Sequence, residues 1–296
     1  MLDFLLQQLI TGLALGIIYG VIAVCIVLIY KSTRVLNLAQ GELLVFGAFF
    51  AWTALVVWQL PLPLAFLASM VATGFLGFLI ERLTLRPLIG QPILAAIMMT
   101  ISIMVVLKGM ILLAWGGAVY SYKPPIFPKE PVQLGTVVIS QEYAWASALA
   151  IVLLVLFMYF FQRTRAGLAM RGTSEDHQLA QSLGVSVENV FAQSWIIAAV
   201  VSAVVGIVLA SLFSVDMGIG SLGLKVFAVV LLGGLESIPG AIVAGLIIGV
   251  SEMAAAGFLD PIVGGGIREV FPWLVAVVVL IFLPYGLFGW KRIERI

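Results

Sequence analysis

Charge is scarce in this chain: 10% of its 296 residues are Asp, Glu, Lys or Arg, where soluble domains carry about 25%. With 63% hydrophobic residues and a mean hydropathy of +1.21, a water-soluble globule is excluded. Cysteine occurs once, as Cys25 inside the first apolar run, which excludes a disulfide framework and a cysteine metal site. The single histidine, His177, stands beside Glu175 and Asp176 and reads as a solvated or partner-contacting residue, not a metal ligand. No glycine cluster carries the GK[ST] of a Walker A loop, so the chain has no ATP site of its own. The net charge of +1 says nothing about nucleic acid, but no basic patch is large enough to bind it. Paired acids, a nucleophile with its base and a metal cluster are all missing, so no enzyme is expected. Asp216, Glu236, Glu252 and Asp260 are scattered near turns or span ends; Glu252, the most interior, is assigned to packing. Short alternating segments are lacking too, which excludes a membrane barrel. The first apolar run has no basic residues before it and no small-residue cleavage site, so it reads as a retained span. No soluble domain is read at either end, so the driving energy must come from an ion gradient or from another chain.

What is present is one apolar run after another, long enough to cross a bilayer. The expected architecture is all-α: a single polytopic membrane domain over residues 1–296, with about eight or nine transmembrane helices, some of them broken. Span one covers Leu9 to Ile29, with Gly12, Gly16 and Gly20 on one face as a close-packing surface. That face suits contact with a second copy or with a paralogue. Span two opens with Leu36-Asn37-Leu38-Ala39-Gln40-Gly41-Glu42, a poor start for a lipid-facing helix but a suitable broken helix lining a cavity. A charge at mid-bilayer costs about 2.5–3.5 kcal/mol, so Glu42 is expected to face protein or water. A helix starting at Leu43 would instead leave it interfacial. Spans three (Leu64–Ile80) and four (Ile93–Trp115) are separated by Arg86–Pro92, which two prolines keep from being helical; Lys108 of span four can snorkel to an interface. An extended loop with four prolines follows, from Gly116 to Tyr143, then span five (Ala144–Phe161) and span six (Val190–Phe213). A Gly-rich passage (Asp216–Lys225), a short apolar run (Val226–Leu232), Gly233–Gly240, the run Ala241–Ala256, a second Gly-rich turn (Gly257–Gly266) and a last span (Val270–Leu283) complete the chain.

The longest polar passage with helix signals runs from Arg163 to Asn189, within a loop at 162–189. Three cations, Arg163, Arg165 and Arg171, open it. Thr173-Ser174-Glu175-Asp176 then resembles a capping box at a helix start. Gly184 supplies a left-handed stop after Leu183, and a second start follows at Ser186 with Glu188 in the first turn. A short capped helix between two spans reads as a docking element, against the alternative of a solvated loop.

Basic residues gather at 31–34, 82–86, 163–171 and 291–295, so these ends, including the C-terminus, are expected in the cytoplasm. In that orientation Ala39–Gly47 (AQGELLVFG) and Leu222–Val230 (LGLKVFAVV) enter from opposite sides, each with an ionisable residue fourth, Glu42 and Lys225. This is the pattern of an inverted repeat, with a permeation path at its interface. Glu42 and Lys225 then either pair, contact the two ends of a zwitterionic solute, or pair locally.

Three stretches carry a resemblance. NLAQGE (37–42), SEDHQLAQSLGVSVENV (174–190) and GLKVFAVVLLGGLESIPGAIVAGLIIG (223–249) are similar to the permease of branched-chain amino acid ABC transporters, the LivH type, and the resemblance covers essentially the whole chain. It implies an importer built from this chain, a paralogous second permease (LivM type), two ABC ATPase subunits and an extracytoplasmic solute-binding protein, set in the lipid bilayer of a bacterial cytoplasmic (inner) membrane. It implies no cofactor here, since ATP is bound by the partner subunits. It places ATPase coupling on Ser174, Glu175, Asp176, His177, Leu179, Ala180, Leu183 and Gly184. It places the translocation path along broken segments at Asn37–Glu42 and Gly223–Gly234, through Asn37, Gln40, Gly41, Glu42, Gly223, Lys225, Gly233 and Gly234. The implied cargo is leucine, isoleucine and valine or a related small polar solute. An ion-coupled secondary transporter using Glu42, Lys225 or Glu252 is the alternative, and a channel is a third reading, weakened by the lack of a repeated filter motif.

Overall fold

A computed structural model describes residues 2–134, 137–175 and 177–289. Its helices in order are α1 (Leu2–Thr33), α2 (Gln40–Trp52), α3 (Leu62–Ile80), α4 (Ile93–Trp115), α5 (Gln141–Arg163), α6 (Arg165–Glu175), α7 (His177–Ser182), α8 (Val187–Leu212), α9 (Ile219–Gly233), α10 (Ile238–Val263) and α11 (Ile267–Phe282). Seven of them, α1 to α5, α8 and α10, are long and apolar enough to cross a membrane, with α2 and α3 prolonged by π-helical turns at Thr53–Val57 and Glu81–Leu85; α9 is a shorter apolar helix. The chain is therefore an all-α polytopic membrane protein. A small antiparallel hairpin, β1 (Pro131–Leu134) with β2 (Val137–Ser140), lies in the stretch read from sequence as an extended loop. The last helix starts at Ile267, three residues before the expected span, and has only 16 residues.

The chain forms two compact units. One contains the first part of α1, the hairpin, the start of α5 and the chain from Lys225 onward; the other comprises Leu28–Phe127 and Val152–Leu224.

In the second unit α8 is the buried centre, crossed by α2 and α3. Lipid tails are as apolar as leucine, so helices here are held by close backbone approach and not by water exclusion. The contact points are small accordingly: Gly47 lies on Ala203, Gly77 on Trp195 and Ala199, and Gly206 on the backbone of Leu44. Ser69 Oγ donates to the Gly47 carbonyl at 2.8 Å and fixes α3 against α2.

In the first unit the glycine face of α1 is used inside the chain. A Cβ on Gly16 would lie 2.8 Å from the Gly245 carbonyl oxygen, and one on Gly249 would lie 2.4 Å from the Gly16 Cα. The Gly12–Gly20 face, expected to suit another subunit, is thus covered by α10. That helix also continues into the expected Gly257–Gly266 turn, through Pro261 to Val263, and the turn is confined to Gly264–Gly266 with left-handed backbone. Near the chain's end, Leu287 and Phe288 donate their N–H groups to the carbonyls of Leu232 and Gly233, satisfying two acceptors that α9 would otherwise leave open.

Candidate functional site

Three clusters hold the residues that composition and resemblance single out. The first is the break between α1 and α2. Helix α1 closes on Arg34, which takes a left-handed backbone (φ 58°) although it is not glycine. The side chain of Asn37 then replaces the missing helical bonds: its Oδ1 accepts from the Ala39 N–H (3.1 Å), and its Nδ2 donates to Gln40 Oε1 (2.9 Å). Gln40 Nε2 donates in turn to Ser202 Oγ on α8 (2.6 Å), and Thr100 of α4 donates to the Leu36 carbonyl (2.9 Å). Every link satisfies a polar group where no bulk water is available to do so. Helix α2 starts at Gln40, which puts Glu42 in its first turn, 7% exposed and packed against protein. Its Oε2 has no hydrogen-bond partner among the described residues. Gly41 and Gly223 meet backbone to backbone: a Cβ on Gly223 would fall 2.2 Å from the Gly41 Cα, so neither position admits a side chain. Asn37, Gln40, Gly41, Glu42 and Gly223 thus form one site.

Lys225, Gly233 and Gly234 belong elsewhere. The expected interruption over Gly223–Gly234 is a regular helix as far as Gly233; Gly234 then turns the chain with φ 98°. Gly233 faces Gly240, where a Cβ would meet the carbonyl oxygen at 2.5 Å. Lys225, 3% exposed, donates to Glu252 (3.3 Å), Glu269 (3.1 Å) and the Arg268 carbonyl (3.3 Å). Glu252 is fully buried, and its Oε1 also accepts from Tyr19 Oη (3.2 Å) and Arg268 Nε (3.1 Å). The packing role assigned to Glu252 is therefore replaced by an ionic one: it is the hub of a buried charge cluster on α9, α10 and α11. Sequence reasoning missed this because the participants stand 16 and 27 positions away; the one available signal was an acid deep in an apolar run, which requires a cation.

The third cluster is the polar stretch. Its first helix, α6, begins at Arg165, so Thr173 and Ser174 sit in its last turns and do not start a helix. Leu168, Ala169 and Met170 are strong helix formers, and they carry the helix up to the residues read as its cap. Ser174 Oγ donates back to the Arg171 carbonyl (2.9 Å), while Thr173 is buried. Asp176 and the side chain of His177 lie outside the described residues. Gly184 does supply the left-handed stop (φ 84°), Ser186 precedes α8, and Glu188 in its first turn pairs with Arg86 (3.0 Å). Glu175 is exposed, Ala180 is buried, and Leu179 and Leu183 present 59% and 77% of their surface. Arg34, which the sequence did not single out, ties this segment to the first cluster by donating to the Ser174 carbonyl (2.8 Å). Arg171 binds the Phe161 carbonyl and lies 5.5 Å above its ring.

Residues 8–283 match the family described as "Branched-chain amino acid transport system / permease component". The chain belongs to that family. This permease is 31% identical to the high-affinity branched-chain amino acid transport system permease protein BraD of Pseudomonas aeruginosa, over 98% of each chain. It is 27% identical to LivH of Salmonella typhimurium over 99% of this chain and 98% of that one, and 29% identical to the probable LivH of Methanocaldococcus jannaschii over 93% and 90%. Among solved structures, PsaBC from Streptococcus pneumoniae in complex with Fab aligns with a TM-score of 0.51 at 17% identity, over 95% of this chain and 91% of that chain. That is a likeness of fold.

Proposed function

We propose that this permease is a membrane-spanning subunit of an ATP-driven ABC importer for branched-chain amino acids. The observation that carries this reading is the near full-length match to relatives named as high-affinity branched-chain amino acid permeases. The remaining parts are a paralogous second permease, two ABC ATPases and an extracytoplasmic binding protein, in a bacterial inner membrane with the C-terminus inside. The broken start of α2, with Asn37, Gln40, Gly41, Glu42 and Gly223, forms one part of the translocation path. Lys225, Gly233 and Gly234 contribute a second part, the two related as halves of an inverted repeat.

Coupling runs through α6 and α7. Two exposed leucines on a polar segment, Leu179 and Leu183, offer the ATPases an apolar anchor, with Glu175 and the residues around it as a polar rim. Closure of the ATPases displaces this segment, and the Arg34–Ser174 hydrogen bond carries the displacement to the end of α1 and the break beside Asn37.

The test is solute uptake into proteoliposomes holding all the subunits, with and without internal ATP. Changing Leu179 and Leu183 together to Asp should abolish ATP-driven uptake while the spans stay folded. Uptake by this chain alone on a sodium or proton gradient would refute the importer reading.

A further inference from the structure

Beside the Arg34 link, the second unit holds a partly open cavity of about 130 Å³ between the ends of α1 and α3, the start of α4 and the first turns of α8. One water needs about 10–15 Å³ on this measure, so the space holds on the order of ten waters or one small metabolite. Its walls are mixed. Leu85, Ile93 and Phe191 are apolar; Arg34, Glu81 and Trp195 are not. Trp195 is fully buried and its indole N–H finds no acceptor among the described residues, an unfavourable arrangement that an occupant bearing an acceptor would correct. Glu81, also fully buried, receives one bond per oxygen from Arg86, and each carboxylate oxygen has capacity for another. Arg34 reaches this wall from a left-handed backbone that side chains avoid, and such outliers gather at functional positions.

We propose that this cavity binds a free aliphatic amino acid from the cytoplasmic side and throttles transport. The carboxylate accepts from the Trp195 indole and draws on the Arg34 guanidinium. The ammonium donates to Glu81, and the side chain lies against Leu85, Ile93 and Phe191. Occupancy diverts Arg34 from the Ser174 carbonyl, loosening the link between the coupling segment and the broken start of α2. The imported solute thereby slows its own import at a site apart from Glu42. The inference rests on the importer reading for the identity of the amino acid and for the side of the membrane.

The test uses the complete transporter in proteoliposomes in which ATP-driven uptake has first been shown, so a failed importer reading is recognised before the inference is tried. Labelled leucine is supplied outside with the binding protein, and unlabelled leucine is titrated inside with ATP. The wild-type permease should lose initial uptake rate several-fold as internal leucine rises. Trp195→Phe, which removes the donor and keeps the bulk, and Ala96→Phe, which fills the cavity from a lining position on α4, should transport without that loss. Internal N-acetyl-leucine, lacking the ammonium, should inhibit far less. Equal inhibition of wild type and both variants would place the effect in the translocation path and overturn the proposal. No inhibition in any of them, or a phospholipid that copurifies with the wild type and is displaced by Ala96→Phe, would overturn it as well.

Discussion

Replacing Lys225 with Met removes the ammonium group at the centre of the α9–α10–α11 cluster. Lys225 is 3% exposed and Glu252 is not exposed at all, whereas the Glu269 side chain is 64% exposed. Glu269 therefore returns to solvent contact at little cost, and the penalty falls on Glu252. That carboxylate keeps Tyr19 and Arg268 but loses one of its two cations, and its Oε2 already lacks a hydrogen-bond partner among the described residues. Breaking a buried pair from one side costs about 3–5 kcal/mol. For a chain of this size each kcal/mol lowers the unfolding midpoint by about 2 °C, so the shift should be about 6–10 °C. Glu252→Gln should cost a similar amount, because it leaves Lys225 buried beside a neutral amide. The double variant removes both charges together. Its cost should fall short of the sum of the two single costs by a coupling energy of about 2–3 kcal/mol. Cys25 supplies the assay: it is the only thiol and is buried, so a maleimide dye reacts as the detergent-solubilised protein unfolds on heating. Strictly additive costs would show that the two residues stabilise the fold independently and would refute the ionic account of the cluster.

Gly249→Ala places a Cβ 2.4 Å from the Gly16 Cα and should cost about 1–3 kcal/mol or more by overpacking, lowering the Cys25 midpoint. Gly109→Ala, where nothing lies within 4 Å of the added atom, should be neutral or stabilise α4 by about 0.5–1 kcal/mol, and a loss equal to that of Gly249→Ala would undo the packing argument. Arg34→Gly and Arg34→Ala both remove the bond to the Ser174 carbonyl and should both reduce ATP-driven uptake. Only alanine must also hold φ 58° with a side chain, so it should be the less stable by about 1 kcal/mol. The same melting curve tests that ordering. The paired change of Leu179 and Leu183 to Asp should leave stability within about 0.5 kcal/mol of wild type, since both side chains are exposed; a large shift of the melting midpoint would mean that it reports on folding and not on docking.

Hydropathy alone places the long spans, and α4 has the boundaries read from sequence, because a proline precedes it and a glycine with φ 77° ends it. The polar start of α2 was legible for the same reason that it is unusual: Asn37 and Gln40 have no use in a lipid-facing helix. The start of α6 was not legible, since a hydroxyl followed by carboxylates fits a helix's first turn as well as its last, and only the strength of the preceding residues decides. Glycines misled in opposite directions. Gly223 suggested a broken segment, yet where the backbone has no water to bond with, the helix persists through it. Gly12 and Gly16 suggested an outside partner, yet their partners are Gly245 and Gly249 of the same chain. Glu252 looked isolated because ion pairs between helices leave no local pattern.

The α1–α10 seam also dictates an order of assembly. Gly16 and Gly245 are 229 positions apart, and at about 5–20 residues per second a ribosome needs roughly 10–45 s to travel between them. For that interval α1 waits in the membrane with its glycine groove open, facing lipid or the insertion machinery. Closure of the seam is consequently among the last steps of biogenesis. A nascent chain arrested before α10 would leave α1 available to the wrong neighbour.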